Sequence, residues 1–326
     1  MTEPLYTLPN GKIYHANSLE LLADLPAKSV DLFVYDPPWF DIPSENNKDS
    51  SEWRDVWKLP DPLRMARLTV RALKKSGIVY LFGYQPYMQD FHTAFTRFGL
   101  DFMYELIWNK TDRPAMGDGR YPLKAHANIW AYRWKDIPLK KTHHDIKRVV
   151  DNPEGEANLR TKPISRAISG EAVAPSKTVQ PSRLKANNVI VYKTGVGYPK
   201  SVLRAGVIKE YSGDEYVHHP SQIPEALIEL LVSMGSLEGD LVLDPFMGSG
   251  TTPVVCERLN RKWIGIEITK EWCDKGYKRI LESMKKPKRL KFPKLITEPA
   301  QLGEFVSEYQ DEGEKVKEEV GLEKWV

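Results

Sequence analysis

Cysteine is nearly absent. The two residues in 326, Cys256 and Cys273, are too few for a disulfide framework and stand in no Cys-x-x-Cys pair. Both read as reduced thiols filling a core. Long apolar runs are missing as well. The best one, residues 78–82, falls far short of the ~18 residues that a membrane span needs. The first dozen residues lack the apolar stretch of a secretory signal. Neither sign of charge dominates, with 47 Lys and Arg against 44 Asp and Glu. The paired histidines His143/His144 and His218/His219 have no metal-ligand spacing; they read as structural or phosphate-near, and no metal is expected. These absences exclude disulfide scaffolds and membrane-spanning chains. The expectation is a soluble, cytoplasmic protein with no membrane contact.

What is present is ordinary globular material: 41% hydrophobic and 28% charged residues, over a length that suggests about two domains or one large domain with an insertion. Strand and helix patterns alternate from the start. Residues 12–16 read as a strand and 18–25 as a helix capped by Ser18. Residues 30–35 form a buried strand, and 61–75 an amphipathic helix ended by Gly77. Strands over 78–84, 102–108 and 128–134 follow, with a helix over 86–98 between the first two. The alternation resumes after a gap: helix 222–234, strand 241–243, helix 251–259, strand 263–266 and helix 270–284. Such alternation argues for βαβ crossovers and a largely parallel sheet.

The gap between the two runs is different in kind. Residues 133–209 carry 16 Lys and Arg against 6 Asp and Glu, with a short apolar pattern only at 189–192. A basic stretch rich in Pro, Gly, Asn and Ser cannot hold a core of its own size, so it leans on the main domain or orders on binding. It has the charge footprint of a segment that meets a polyanion. A further basic cluster lies at 285–294, and the chain from residue 301 is acidic.

Two loops at strand ends carry the chemistry. Asp36-Pro37-Pro38-Trp39 directly follows the strand at 30–35. Two prolines fix φ twice and remove two N–H donors. What remains is a carboxylate and a main-chain carbonyl beside an aromatic face, which suits a planar ring with an exocyclic amine. The bland alternative is a rigid strand exit whose Trp packs inside. The second loop is Asp244-Pro245-Phe246-Met247-Gly248-Ser249-Gly250-Thr251-Thr252, between strand 241–243 and a helix. Its glycines let backbone approach a ligand closely, and the helix N-terminus offers free N–H groups. It is neither a P-loop nor a full G-x-G-x-x-G, because Pro253 stands two residues beyond Gly250 where the third glycine would fall. Glu267 ends the next strand, where a βαβ nucleoside site takes up ribose hydroxyls.

Taken together, these residues resemble the S-adenosylmethionine-dependent amino-methyltransferases of DNA in their permuted "beta" order. The DPPW motif at 36–39 comes first, a basic insertion second, and the run HPSQIPEALIELLVSMGSLEGDLVLDPFMGSGTT at 219–252 last. The resemblance implies a Rossmann-like, doubly wound, mixed seven-stranded sheet, the class I methyltransferase fold. It implies one catalytic domain made of residues 1–134 and 215–286, a target-recognition insertion at 135–214 and a charged tail at 287–326. It implies S-adenosylmethionine as cofactor, with Phe246, Gly248 and Gly250 lining it and Glu267 on the ribose. Ser221, Gln222 and Pro224 would hold its methionine end, Asp244 the pocket floor. His219, Asp36, Pro245, Ser249, Thr251 and Thr252 complete the expected cofactor set. Asp36, Pro37, Pro38 and Trp39 would act on the target base.

The same resemblance implies double-stranded DNA as partner, with the target base flipped out. Lys140, Lys141, Lys147, Arg148, Arg160, Lys162, Arg166, Lys177, Arg183 and Lys185 are the expected nucleic-acid contacts, and a homodimer and a cognate restriction endonuclease are further partners it leaves open. Asp in DPP is the adenine-type form. Trp39 stands where the bacterial enzymes more often have Tyr, and Ile223 where they have Lys or Arg. Trp53 and Trp57 suit a mobile lid. Adenine-N6 methylation of DNA is the expected activity. Cytosine-N4 methylation, RNA adenine methylation and a catalytically silent nucleic-acid binder are the alternatives.

Overall fold

The computed structural model describes residues 2–38, 60–85, 87–110, 126–144, 202–205, 217, 219 and 221–285. The strands are β1 (Tyr6–Thr7), β2 (Gly11–His15), β3 (Val30–Tyr35), β4 (Leu73–Gly83), β5 (Leu100–Lys110), β6 (His126–Trp134), β7 (Val202–Ala205), β8 (Leu241–Asp244) and β9 (Lys262–Glu267). The helices are α1 (Ser18–Asp24), α2 (Pro62–Ala72), α3 (Tyr87–Arg97), α4 (Glu225–Gly235), α5 (Thr251–Arg258) and α6 (Lys270–Lys285).

The nine strands form one mixed sheet in the order β1-β2-β9-β8-β3-β4-β6-β5-β7. The seven expected strands are its centre; the two-residue β1 and the short β7 are added at the edges. Composition explains the middle of the sheet. β3 reads Val-Asp-Leu-Phe-Val-Tyr and is buried at every position, as a parallel strand covered on both faces must be. Its side chains alternate between two cores. Leu32 and Val34 join Ile78, Tyr80 and Phe82 of β4 under α4, α5 and α6. Phe33 and Tyr35 join Val79 and Leu81 under α1, α2 and α3. Each fully buried Leu, Val or Phe contributes about 1.5–3 kcal/mol, so the sheet centre is the most strongly held part of the fold. All eleven residues of α4 are buried, and its two acids, Glu225 and Glu229, are buried only because arginines meet them.

Two local expectations are corrected. Helix α1 is capped by Asn17, whose side chain accepts the N–H of Leu19, and not by Ser18. The Ser18 hydroxyl instead donates to the carbonyl of Pro245, far along the chain. Helix α2 stops at Ala72 rather than running to Lys75 with Gly77 as its stop. Gly77 lies inside β4, where a Cβ would come within 2.8 Å of the Asp31 carbonyl. The glycine serves a close strand approach beside the register shift between Val30 and Leu32.

The chain leaves β3 through α2 to β4 on one side, and β8 through α5 to β9 on the other. The carboxyl ends of β3 and β8 therefore flank the point where the connections diverge, which is where open α/β sheets bind ligands. β7 is drawn from the stretch expected to be insertion and pairs with β5. The apolar pattern at 189–192 lies outside the described residues.

Candidate active site

The two loops singled out by sequence meet. β3 and β8 are parallel neighbours, with Leu32 opposite Val242 and Phe33 opposite Leu243. Asp36, the residue after β3, and Asp244, the last of β8, thus emerge side by side at one edge of the sheet. They are close enough for the Asp36 charge to act on Asp244. Pro37 is buried, while Asp36 and Pro38 are partly exposed. Trp39, Trp53 and Trp57 lie outside the described residues.

Asp244 is a carboxyl held against its preference. It is 6% exposed. Oδ1 accepts the N–H of Phe246 at 3.0 Å, and the Thr252 side chain also bonds it. Burial outweighs these bonds, and with the charges of Asp36 and Glu267 nearby the carboxyl is pushed up to about 7. Glu267 ends β9, the next strand over. Its Oε2 accepts the N–H of Gly248 at 3.0 Å and its Oε1 that of Thr269 at 2.8 Å. Burial raises its pKa and these N–H groups oppose the rise.

The glycine loop has the backbone its sequence promises. Gly248 and Gly250 sit at φ +48° and +79°, where other L-residues are strained. A Cβ on Gly248 would meet His219 Nε2 at 2.9 Å, and one on Gly250 the Cα of Gly276 at 3.2 Å. Gly250 is also the N-cap of α5, with no side-chain capping bond. That helix end keeps N–H groups to offer at the loop. Gly250→Ala is expected to cost about 1–3 kcal/mol, from the forced φ alone; thermal unfolding of the variant checks it.

Of the residues expected around this loop, His219 lies against Gly248, and the chain entering α4 meets Thr251. The Thr251 hydroxyl donates to the Ile223 carbonyl at 3.2 Å. Gln222 is buried and its Oε1 accepts the N–H of Val217. Pro224 leads into α4, and Ser221 is exposed, its N–H donated to His219 Nδ1 at 3.2 Å. His219 stands edge-on to Trp272 with centroids 4.5 Å apart. Burial, helped by the charges of Arg279 and Lys275, pushes its imidazole down to about 3, so it is neutral at physiological pH. Phe246 is partly exposed and tilted on Tyr35 at 6.0 Å. Tyr35 was not foreseen; its hydroxyl is held at 2.6 Å from Thr69 Oγ1, which fixes the ring behind both loops.

Two of the expected DNA contacts fall among the described residues. Lys140 and Lys141 are exposed on a 3-10 turn after β6. β6 runs antiparallel to β4, so its far end lies at the edge opposite Asp36 and Asp244. Neighbouring His143 confirms the location: its Nδ1 is 2.7 Å from Asp240 Oδ2, just before β8, and 3.6 Å from Asp31 Oδ1 in β3. This acid-and-histidine group, with Lys74 at 2.8 Å from Asp31, pins the chain after β6 under the sheet, which paired histidines in a sequence could not reveal. His144 Nε2 meets the Tyr104 hydroxyl at 2.5 Å. Lys147, Arg148, Arg160, Lys162, Arg166, Lys177, Arg183 and Lys185 lie outside the described residues, as does His218.

Sequence reasoning also missed Arg279. It is 4% exposed on α6 and reaches the Ser249 carbonyl, the Thr251 hydroxyl and Glu225. The available signal was Gly276, a helix-interior glycine three residues before it, which costs about 1 kcal/mol against Ala unless something packs there.

Comparison with known proteins agrees with this geometry. The M2.DpnII type II methyltransferase of Streptococcus pneumoniae is 22% identical, over 86% of this chain and 93% of its own length. The DNA adenine methyltransferase YhdJ of Escherichia coli (strain K12) is 26% identical, over 82% of each chain. Among solved structures, the PvuII cytosine-N4-specific DNA methyltransferase matches with TM-score 0.56 and 19% identity, over 85% of this chain and 89% of its own. The M1.HpyAVI–SAM complex matches with TM-score 0.51 and 21% identity, over 83% and 98%. At such identities the structural likeness is one of fold. The family model described as DNA methylase, covering N6- and N4-methyltransferases, matches residues 30–278, from the first residue of β3 into α6 and hence across both loops. The chain belongs to this family of DNA methylases.

Proposed function

We propose that this DNA methylase transfers the methyl group of S-adenosylmethionine to the exocyclic N6 amine of a flipped-out adenine in duplex DNA. The observation that carries the reading is the parallel pairing of β3 with β8, which sets Asp36 and the glycine loop at one edge. Named adenine chemistry in the relative YhdJ supports the choice of base.

The residues present fit this cofactor. Two glycines at positive φ leave the loop without side chains at its bend. The uncapped N-terminus of α5 faces the same loop. Glu267 ends β9 beside the loop, its carboxylate accepting the N–H groups of Gly248 and Thr269, at the strand end where an acid takes up ribose hydroxyls. When bound, S-adenosylmethionine supplies an electrophilic methyl on a sulfonium. The chain's part is then to hold and polarise the amine. The adenine amine is a poor nucleophile because its lone pair is delocalised into the ring. N–H bonds from it to the Asp36 carboxylate and the Pro37 carbonyl favour pyramidal nitrogen and stabilise the positive charge that develops there. Methyl transfer would form the N–C bond as the S–C bond breaks, the sulfur keeping the bonding pair, and the nitrogen would then release its proton to the Asp36 carboxylate or to water. Asp36 need not take that proton beforehand, since it becomes acidic only after transfer. Holding both partners in one slot supplies much of the rest.

The test incubates the protein with labelled S-adenosylmethionine and duplex DNA, then digests the DNA to nucleosides for mass analysis. Label in N6-methyl-2′-deoxyadenosine is expected. Label in N4-methylcytosine overturns the choice of base, and label accepted by RNA alone overturns the choice of nucleic acid.

A further inference from the structure

The glycine loop does not hold its own shape. Behind it runs a chain of buried charges: Arg279 Nη2 to Glu225 Oε1 at 3.0 Å, Arg258 Nη2 to Glu225 Oε2 at 2.6 Å, and Arg258 Nη1 to Glu229 Oε2 at 3.1 Å. Glu225 and Glu229 are 5% and 1% exposed. Arg279 is the member that touches the loop. Its Nη1 donates to the Ser249 carbonyl at 3.0 Å, to Ser249 Oγ at 3.2 Å and to Thr251 Oγ1 at 2.9 Å. Those two residues bracket Gly250, the residue at φ +79°. Gly276, one turn earlier on α6, backs the same bend: a Cβ added to Gly250 would meet its Cα at 3.2 Å. The charge of Arg279 also acts on His219, which stands over Gly248.

We infer that Arg279 is a positioning residue for the cofactor loop: its guanidinium fixes the peptide before Gly250 through the Ser249 carbonyl and the Thr251 side chain after it, so that the N–H groups at the start of α5 face the cofactor. This deepens the proposed function and rests on its cofactor reading. The physical case is one of alternatives. A loop with two glycines has many accessible conformations, and binding a ligand to such a loop carries the cost of ordering it. A carbonyl can be turned toward a ligand as easily as an N–H. Arg279 holds the Ser249 carbonyl inward, into a charged network that it cannot leave without stripping the buried Glu225 Oε1 of its guanidinium and leaving that acid to Arg258 alone. Only a planar fork spans the Ser249 carbonyl, the Thr251 hydroxyl and Glu225 at once; a lysine ammonium, a point charge, cannot satisfy this geometry.

The network itself supplies the control. Arg258 shares Glu225 with Arg279 but contacts α4 acids alone among its described side-chain partners, not the loop. Arg279→Lys and Arg258→Lys are therefore a matched pair. Each is to be purified as full-length chain and measured for thermal unfolding, for equilibrium binding of S-adenosylmethionine by calorimetry, and for the separate KM values of cofactor and DNA. Both variants should unfold at lower temperature than wild type. Arg279→Lys alone should weaken cofactor binding by about tenfold or more, the scale of one lost hydrogen bond to a charged group, and raise the cofactor KM while leaving the DNA KM near wild type. Arg279→Lys binding cofactor as wild type does would overturn the inference, and so would equal weakening in both variants. If wild type binds no S-adenosylmethionine, it is the cofactor reading that fails. Should Arg279→Lys not fold, Ser249→Ala and Thr251→Val, which remove only the side-chain ends of the same contacts, must together show the selective cofactor loss.

Discussion

Asp36→Ala is expected to lower the rate of methyl transfer by about 10²–10³-fold or more, the scale seen when one preorganised polar group facing a developing charge is removed. The loss should appear in kcat, measured under single-turnover conditions with saturating cofactor and DNA. The carboxylate is worth most when nitrogen becomes positive and little in the ground state. Asp36→Asn should lose nearly as much. Its amide keeps a neutral acceptor oxygen, but the negative charge is gone and an NH2 group is set against the substrate's own NH2. The fold should survive both changes. Asp36 sits after β3, partly exposed, and its charge is one of the factors that disfavour ionised Asp244. Removing that charge relieves Asp244, so the variants should be no less stable than wild type at neutral pH. Full activity in Asp36→Ala would remove the catalytic role. A cofactor affinity lost in parallel would show the cofactor-pocket role that the resemblance also implies for Asp36.

The sequence carried the sheet and both loops because their signals are local. A hexamer such as Val30–Tyr35, apolar or aromatic at every position but Asp31, reads as a covered strand, and glycines around a strand-to-helix bend have few other uses. The side-by-side placement of Asp36 and Asp244 came from the resemblance, since nothing local in either loop encodes which strands pair. What stayed hidden depends on partners distant in sequence. Asn17 rather than Ser18 caps α1 because Pro245, more than two hundred residues on, claims the serine hydroxyl. Lys140 and Lys141 read as DNA contacts because they lie in a basic stretch, yet His143 pairs with Asp31 and Asp240 and draws that segment to the far edge of the sheet. Arg279 looked like one more cation on an amphipathic helix; its burial follows from Glu225, a buried acid that the apolar pattern of α4 does not explain.

Asp244→Asn should make the protein markedly more stable relative to wild type above pH 7 and much less so near pH 4. Folding raises the Asp244 carboxyl from 3.8 to about 7, so the folded chain binds this proton more tightly than the unfolded one. The stabilising contribution of the proton is complete below pH 3.8 and is lost as pH climbs through about 7. Across that window the shift corresponds to ~4 kcal/mol, an order-of-magnitude figure from 1.36 kcal/mol per pKa unit. An asparagine of the same shape does not titrate there. It can still accept the N–H of Phe246 that Oδ1 takes in wild type. His219 works in the opposite direction, since an imidazole held neutral down to about 3 destabilises the fold as pH falls below its ordinary 6.5. Because His219 is present in both proteins, it cancels when their unfolding free energies are subtracted at each pH. Coupling of Asp244 to Asp36 and Glu267 should spread the transition over more than one pH unit rather than move its sign. Urea unfolding of both proteins from pH 4 to pH 8 reads the difference directly. Two parallel curves would mean that Asp244 is ionised in the folded chain at all these pH values, and that the floor of the slot holds a second negative charge facing the cofactor rather than a proton.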